Sequence, residues 1–449
     1  MSYLPNTDKN RQEMLDAIGV ESIDDLFAGI PEAVRFRGEM NLPPAMSEME
    51  LVKHMTELAG KNLSTDEYVC FMGAGAYDHF LPSVVDHILS REEFYTAYTP
   101  YQPEVSQGTL QSIFEFQTMI SELTGMDVAN ASMYDGATTV MEAALMAGRL
   151  VRRGGDRVLI SDSVHPEYRT VLETYLRGLE WEMVEIPTRD GITDLDALRE
   201  EADDETLTVI VQNPNFFGLL EPVDEIGTIV QDAGKAMFTV ACDPISLALL
   251  KPPAESGADM VVGEGQSLGN PLSFGGPYLG FFASESKHIR RMPGRIIGET
   301  VDVDGVRGYV MSMQTREQHI RRARATSNIC TNEALNALAA TVYLSLMGKA
   351  GLREVAEQSL QKAHYAAEAI DALDGFSLKY DAPFFKEFVV QCERPAAEIV
   401  QSLMQHKILA GVDLGRFYPE MENSLLVAVT EKRTRDEIDE FVSRLEGSA

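Results

Sequence analysis

A chain of 449 residues exceeds a single ordinary core, so two or three lobes are expected. Hydrophobic residues make up 45% and charged ones 24%, the profile of a globular protein in water, and no apolar run reaches the roughly 18 residues of a membrane span. With 38 Lys and Arg against 70 Asp and Glu the net charge is −32, which argues against a nucleic-acid binder and against docking on an anionic membrane.

The acidic residues are spread along the whole chain and only 12 of the cations are lysine, so the charge reads as a solvated surface. Cys70, Cys242, Cys330 and Cys392 lie far apart with no CxxC pair, as expected for reduced core residues of a cytoplasmic protein. The stretch MSYLPNTDKNRQEML has neither a basic nor an apolar signal region, and no secretion signal is expected.

Residues 1–70 read as a helical arm. Ser47 with Glu50 makes a capping box, Leu51, Val52, Met55, Leu58 and Ala59 follow at helical spacing, and Gly60 is a stop. Such an arm buries little by itself and is expected to wrap a neighbouring subunit or the main lobe. Residues 71–330 form the expected large α/β domain and 331–449 a linking helix with an α+β domain.

The large domain opens on FMGAGAYDHF and FYTAYTPYQPE. Its glycines lack the spacing of a dinucleotide fingerprint. Tyr95, Tyr98 and Tyr101 are three apart, but Pro100 and Pro103 forbid a regular helix. An extended loop presenting phenols with Thr99, Gln102 and Glu104 is expected, suited to binding or to packing as a connector. A helix follows over Thr109–Leu123, ended by Gly125, and a second opens on Gly136, Ala137, Thr138 and Thr139, whose amides can face a phosphate or serve only as a helix start.

After Gly155 strands alternate with helices: Arg157–Ile160, Glu182–Ile186, Leu207–Gln212, Met237–Ala241 and Asp259–Val262. The alternation predicts a mostly parallel sheet with helices on both faces, and ligands bind beyond the carboxyl ends of such strands. There stand His165, Asn213, Asn215, Asp243 and Gln266. Asp243 can pair with a protonated pyridine nitrogen or cap a helix before Pro244, and His165 can stack on a ring or be satisfied by backbone in a turn. In enzymes that hold pyridoxal phosphate on their commonest fold, a lysine after such a strand forms the Schiff base. Here Gln266 takes that place, no lysine lies between Lys251 and Lys287, and an amide cannot form an aldimine.

Thr300–Val310 is a hairpin candidate turning on Asp304-Gly305, without the ligand spacing of a calcium loop. Arg316, Arg321, Arg322 and Arg324 concentrate positive charge, for an anion, a partner or surface ion pairs. Glu333 to about Leu373 reads as helix, and the remainder as strand, strand, helix, strand, strand, helix, with Thr434 and Glu437 capping the last.

The motifs YTPYQPEVSQG (98–108), FQTMISELTG (116–125), ANASMYDGAT (129–138), GEGQSLGNPLSFGGPYLG (263–280) and QTREQHIRR with ATSNICT (314–331) resemble the glycine-cleavage P-protein family, the glycine decarboxylases. The likeness is to subunit 1, the alpha chain, of the split two-chain form. It implies the type I fold of pyridoxal-phosphate-dependent transferases: a mostly parallel sheet of seven-stranded type, a helical N-terminal arm and a small C-terminal α+β domain. It further implies a cytoplasmic α2β2 heterotetramer whose beta subunit carries the lysine and the pyridoxal 5'-phosphate. That assembly decarboxylates glycine and passes the aminomethyl group to the lipoyl arm of H-protein. Tyr98, Thr99, Tyr101, Gln102 and Glu104 would complete a shared site, and Gln266, His165 and Asp243 would mark a vestigial pocket. The alternatives are a stand-alone pyridoxal-phosphate aminotransferase or lyase using another lysine, of which Lys251 is nearest in sequence, and a non-catalytic structural subunit.

Overall fold

The computed structural model describes residues 6–151, 155–329 and 332–447, so Cys330 lies outside the described residues. The chain divides into two units, one up to Leu63 and one from Ser64 onward.

The first unit has helices α1 (Asp8–Ile18) and α2 (Glu48–Ala59). Ser47 and Glu50 cap α2 reciprocally, as their spacing predicts. Among the described residues of this unit only Leu15 is buried, and the apolar face of α2, with Met49, Val52 and Met55, is exposed.

The second unit is built on a seven-stranded sheet: β1 (Val128–Ala129), β2 (Arg157–Ser161), β3 (Glu182–Ile186), β4 (Thr206–Asn213), β5 (Met237–Cys242), β6 (Met260–Glu264) and β7 (Gly280–Ser284). The spatial order is β1-β7-β6-β5-β4-β2-β3, and only β7 runs against the rest. The central strands are near-continuous apolar runs because both faces are covered. In β6, Val261 joins Phe116, Ile120 and Tyr343 in one core, while Met260 and Val262 join Val140, Ala144 and Leu172 in the other. Those partners sit on α3 (Gln107–Thr124), α4 (Gly136–Leu150), α5 (Pro166–Leu176) and α7 (Ala334–Asp371), with α6 (Val223–Asp232) between β4 and β5.

The predicted hairpin pairs β8 (Ile296–Val301) with β9 (Arg307–Ser312). The Asp302 carboxylate of the D-x-D segment accepts the amides of Asp304 and Val306, closing the turn. Helix α7 leaves helical geometry at Gly348, then continues. The C-terminal sheet is antiparallel, with β10 (Phe376–Leu378), β11 (Glu387–Cys392), β12 (Val412–Asp413) and β13 (Ser424–Ala428) in the order β10-β11-β13-β12. Helices α8 (Ala396–Met404) and α9 (Arg435–Glu446) accompany it, the latter capped by Thr434. A short strand at Ile408–Leu409, not anticipated from sequence, pairs in parallel with Val69–Cys70 and ties the start of this unit to its end. Cys70, Cys242 and Cys392 are free and buried.

Candidate functional site

The carboxyl ends of β4, β5 and β6 face the amino end of α4, the segment 73–80 and the residues entering β11. Tyr77, Tyr168, Asp243, Glu264, Lys386 and Glu387 line the cavity between them. The cavity is about 30 Å³ in volume, the scale of ordered water. Small-molecule sites are typically ~300–1,000 Å³.

Gln266 is buried and its amide is fully used. Its Oε1 accepts from the Tyr77 amide at 2.9 Å, and its Nε2 donates to the Tyr77 carbonyl at 3.1 Å and the Asn270 carbonyl at 2.8 Å. The side chain standing at the expected lysine position thus clamps Tyr77 by its backbone.

Asp243 takes the local turn role its sequence context allows, and its other oxygen pairs with a lysine of this chain where a pyridine nitrogen was the alternative. One oxygen accepts the Ile245 amide at 3.0 Å, the local turn role, and the other lies 2.7 Å from the ammonium of Lys386. That ammonium, on a residue only 2% exposed, also lies 3.0 Å from His79 Nε2 and 3.6 Å from the Tyr77 ring centroid. An ammonium can only donate, so His79 Nε2 accepts, and the imidazole proton sits on Nδ1, 2.6 Å from Glu431 Oε2. Burial alone would raise the Glu431 carboxyl, but the hydrogen bond from His79 and the backbone amides outweigh it and hold it low.

Two further carboxylates face the cavity. Glu264 accepts the amides of Gln266 and Leu279, each at 2.9 Å, on one oxygen, and the Gly136 amide at 3.0 Å on the other. Glu387 accepts the Ala74 amide at 2.6 Å and the Tyr77 hydroxyl at 2.7 Å. Burial pushes both up to about 7, partly offset by those donors. Close approach explains two glycines: a Cβ at Gly73 would lie 2.1 Å from Glu387 Oε1, and one at Gly136 would lie 2.2 Å from the Tyr168 hydroxyl. The α4 amides that sequence reasoning offered to a phosphate are partly spoken for, Gly136 by Glu264 and Thr138 by Asp135.

His165 stacks on the Tyr168 ring at 4.7 Å, so the ring it covers belongs to the protein. Its Nδ1 accepts the Glu167 amide at 3.1 Å and its Nε2 faces the Ala74 carbonyl at 3.0 Å; burial lowers its pKa and keeps it neutral. Asn213 and Asn215 brace the turn after β4, accepting the Glu221 amide and donating to the Gly191 carbonyl respectively.

None of Tyr98, Thr99, Tyr101, Gln102 and Glu104 lines this cavity. The expected extended loop is only partly so: Tyr95 closes a helical turn at Glu92–Tyr95, residues 97–102 are irregular with Tyr98 78% exposed, and Glu104 lies in a 3-10 turn at Pro103–Val105 that Pro103 opens. Tyr101 lies under the Arg295 guanidinium at 5.8 Å and edge-on to His319 at 6.0 Å. Of the basic cluster, Arg316 is buried and donates to the Met292 and Gly294 carbonyls, whereas Arg321, Arg322 and Arg324 are exposed. Lysine 386 and its neighbours Tyr77, His79, Glu264, Glu387 and Glu431 went unnoticed in the sequence. Only Glu264, a carboxylate closing the apolar strand MVVGE, carried a local signal.

These residues do not fit a pyridoxal phosphate. The position after β6 holds the Gln266 amide and no lysine, a carboxyl sits at the helix terminus suited to the phosphate, and the acid suited to a pyridinium is already paired with Lys386. The sheet order nevertheless defines the class: an α/β chain with the type I fold of pyridoxal-phosphate-dependent enzymes. A sphingosine-1-phosphate lyase from Burkholderia pseudomallei shares that fold at TM-score 0.65 and 15% identity, covering 93% of this chain and 94% of that one.

Residues 1–445 match the family of the glycine cleavage system P-protein, and the chain belongs to that family. It is 58% identical over 447 residues to the probable glycine dehydrogenase (decarboxylating) subunit 1 of Carboxydothermus hydrogenoformans, covering 100% of both chains. It is 55% identical over 443 residues to the protein of the same name from a Geobacillus species, covering 99% of this chain and 98% of that one. A crystal structure of glycine decarboxylase (P-protein) of the glycine cleavage system in inhibitor-bound form superposes at TM-score 0.90 with 41% identity, covering 100% of both chains.

Proposed function

We propose that this chain is subunit 1 of a split glycine decarboxylase of the glycine cleavage system, working in the cytoplasm as an α2β2 assembly with a second subunit. The observation that carries the reading is Gln266, an amide bound to backbone where a catalytic lysine is needed, in a chain whose relatives are named subunit 1. Pyridoxal phosphate, held by the partner subunit, supplies the electron sink for loss of CO2 from glycine. The aminomethyl fragment then passes to the lipoyl arm of H-protein.

The part of this chain is to complete the partner's site and exclude water from it. The exposed loop carrying Tyr98, Thr99, Tyr101, Gln102 and Glu104 is suited to reach a neighbour, and the Arg295 guanidinium over the Tyr101 ring stiffens its far end. Orientation of the glycine carboxylate matters more there than proton transfer by this chain. The helical arm, the large domain and the C-terminal domain divide these tasks, the arm holding the neighbour.

Glycine–CO2 exchange tests the proposal: negligible with the purified chain alone, restored on mixing with its partner. Exchange by the chain alone would end it. A scaffold-only role is separated by Tyr98→Phe, Tyr101→Phe and Glu104→Gln, each expected to lower exchange of the intact complex about 10- to 100-fold through misplaced contacts. Full activity in all three would favour the scaffold. The stand-alone enzyme reading cannot use Lys251, which pairs with Asp224 at 2.7 Å on the surface. The lysine that does enter the pocket is Lys386.

A further inference from the structure

A missing lysine is one way to lose a cofactor; a filled pocket is another, and the two make different predictions. At the amino end of α4, where a phosphate would collect backbone amides, Glu264 already accepts from Gly136, while its other oxygen takes the amides of Gln266 and Leu279 beside the helix end. Its two oxygens take up donors that a phosphate would use. Across the cavity, the carboxylate suited to a pyridinium is neutralised at 2.7 Å by Lys386, whose ammonium is held on its other sides by His79 and the Tyr77 ring. The Tyr77 ring is fixed in turn by Glu387 at its hydroxyl and by Gln266 at its backbone.

We infer that this pocket is closed by the chain's own charges, Glu264 standing in for a phosphate and Lys386 for a pyridinium, so that pyridoxal phosphate is shut out even when a lysine is restored at position 266. The inference rests on reading this pocket as the non-catalytic one of the assembly, and adds the physical cause of its silence. A phosphate approaching α4 finds the Gly136 amide already taken by Glu264, and a pyridine nitrogen approaching Asp243 must first displace a buried ammonium.

The test is borohydride reduction of the full-length chain with pyridoxal phosphate, followed by peptide mapping. The native chain, Gln266→Lys, and Gln266→Lys with Glu264→Ser and Lys386→Met are compared. Label at position 266 is expected in the triple variant at about tenfold or more above Gln266→Lys alone, with the native chain unlabelled. Equal labelling of Gln266→Lys and the triple variant would overturn the inference while leaving the proposed function standing, because the native chain would still be silent. A folded triple variant without label would also overturn it. Label on Lys386 of the native chain would overturn it together with the assignment of the cofactor to the partner. Should the triple variant fail to fold, Glu264→Ser alone decides: inorganic phosphate is expected to raise its melting temperature and not that of the native chain. No phosphate-dependent rise would refute the stand-in role.

Discussion

Glu264 and Glu387 show what burial does to a carboxyl that keeps its hydrogen bonds. Both are pushed up to about 7, so the folded chain holds protons there that the unfolded chain has released. Raised carboxyls add stability that is fullest below their unfolded value and is lost as pH rises through the folded one. Glu387→Gln retains the acceptor for Ala74, and its amide can donate to a turned Tyr77 hydroxyl. This variant is expected to flatten the fall of stability between about pH 5 and pH 8, followed by urea unfolding. An unchanged slope would place the proton uptake elsewhere. Sequence could find Gln266, because a long motif surrounds it, and Asp243, because it closes a strand. It could not find Lys386, since the head of an apolar strand in another sheet carries no mark of the acid it meets; only tertiary folding brings the pair together.

Elements with a strong period were legible almost to the residue. The expected strand Glu182–Ile186 is found unaltered, and the expected helix over Thr109–Leu123 spans Gln107–Thr124 with its apolar side against the sheet. The prolines beside the tyrosines do exclude a continuous helix, leaving 97–102 irregular, but Tyr95 closes a helical turn and Pro103 opens a short 3-10 turn. What escaped were elements too short to have a period. Strands Val128–Ala129 and Ile408–Leu409 have two residues each and exist because a neighbouring edge accepts them. The break at Gly348 escaped for the opposite reason: the apolar pattern on either side is helical, and one glycine inside it reads as tolerated.

At the scale of the molecule, the two units differ in what holds them. The unit from Ser64 onward has cores on both faces of its main sheet and a further core around its C-terminal sheet. The arm has a single buried side chain among its described residues and an exposed apolar face on α2. A segment with so little of its own to bury is stable only when something covers it, which under the proposed assembly is the neighbouring subunit. Removing residues 1–63 is therefore expected to leave the melting temperature of the remaining chain within a few degrees of the native value. Association with the partner should weaken by about tenfold or more, read by sedimentation of mixtures. Unchanged association would assign the arm another task.

The carboxylate lodged against the first turn of α4 has a nutritional corollary. Enzymes that seat a vitamin-derived phosphate on a helix end gain part of their solidity from the ligand and soften when the diet or the medium runs short. Here part of that helix end is satisfied from within, so this polypeptide can reach its finished shape in a B6-starved cell and wait there for a loaded companion.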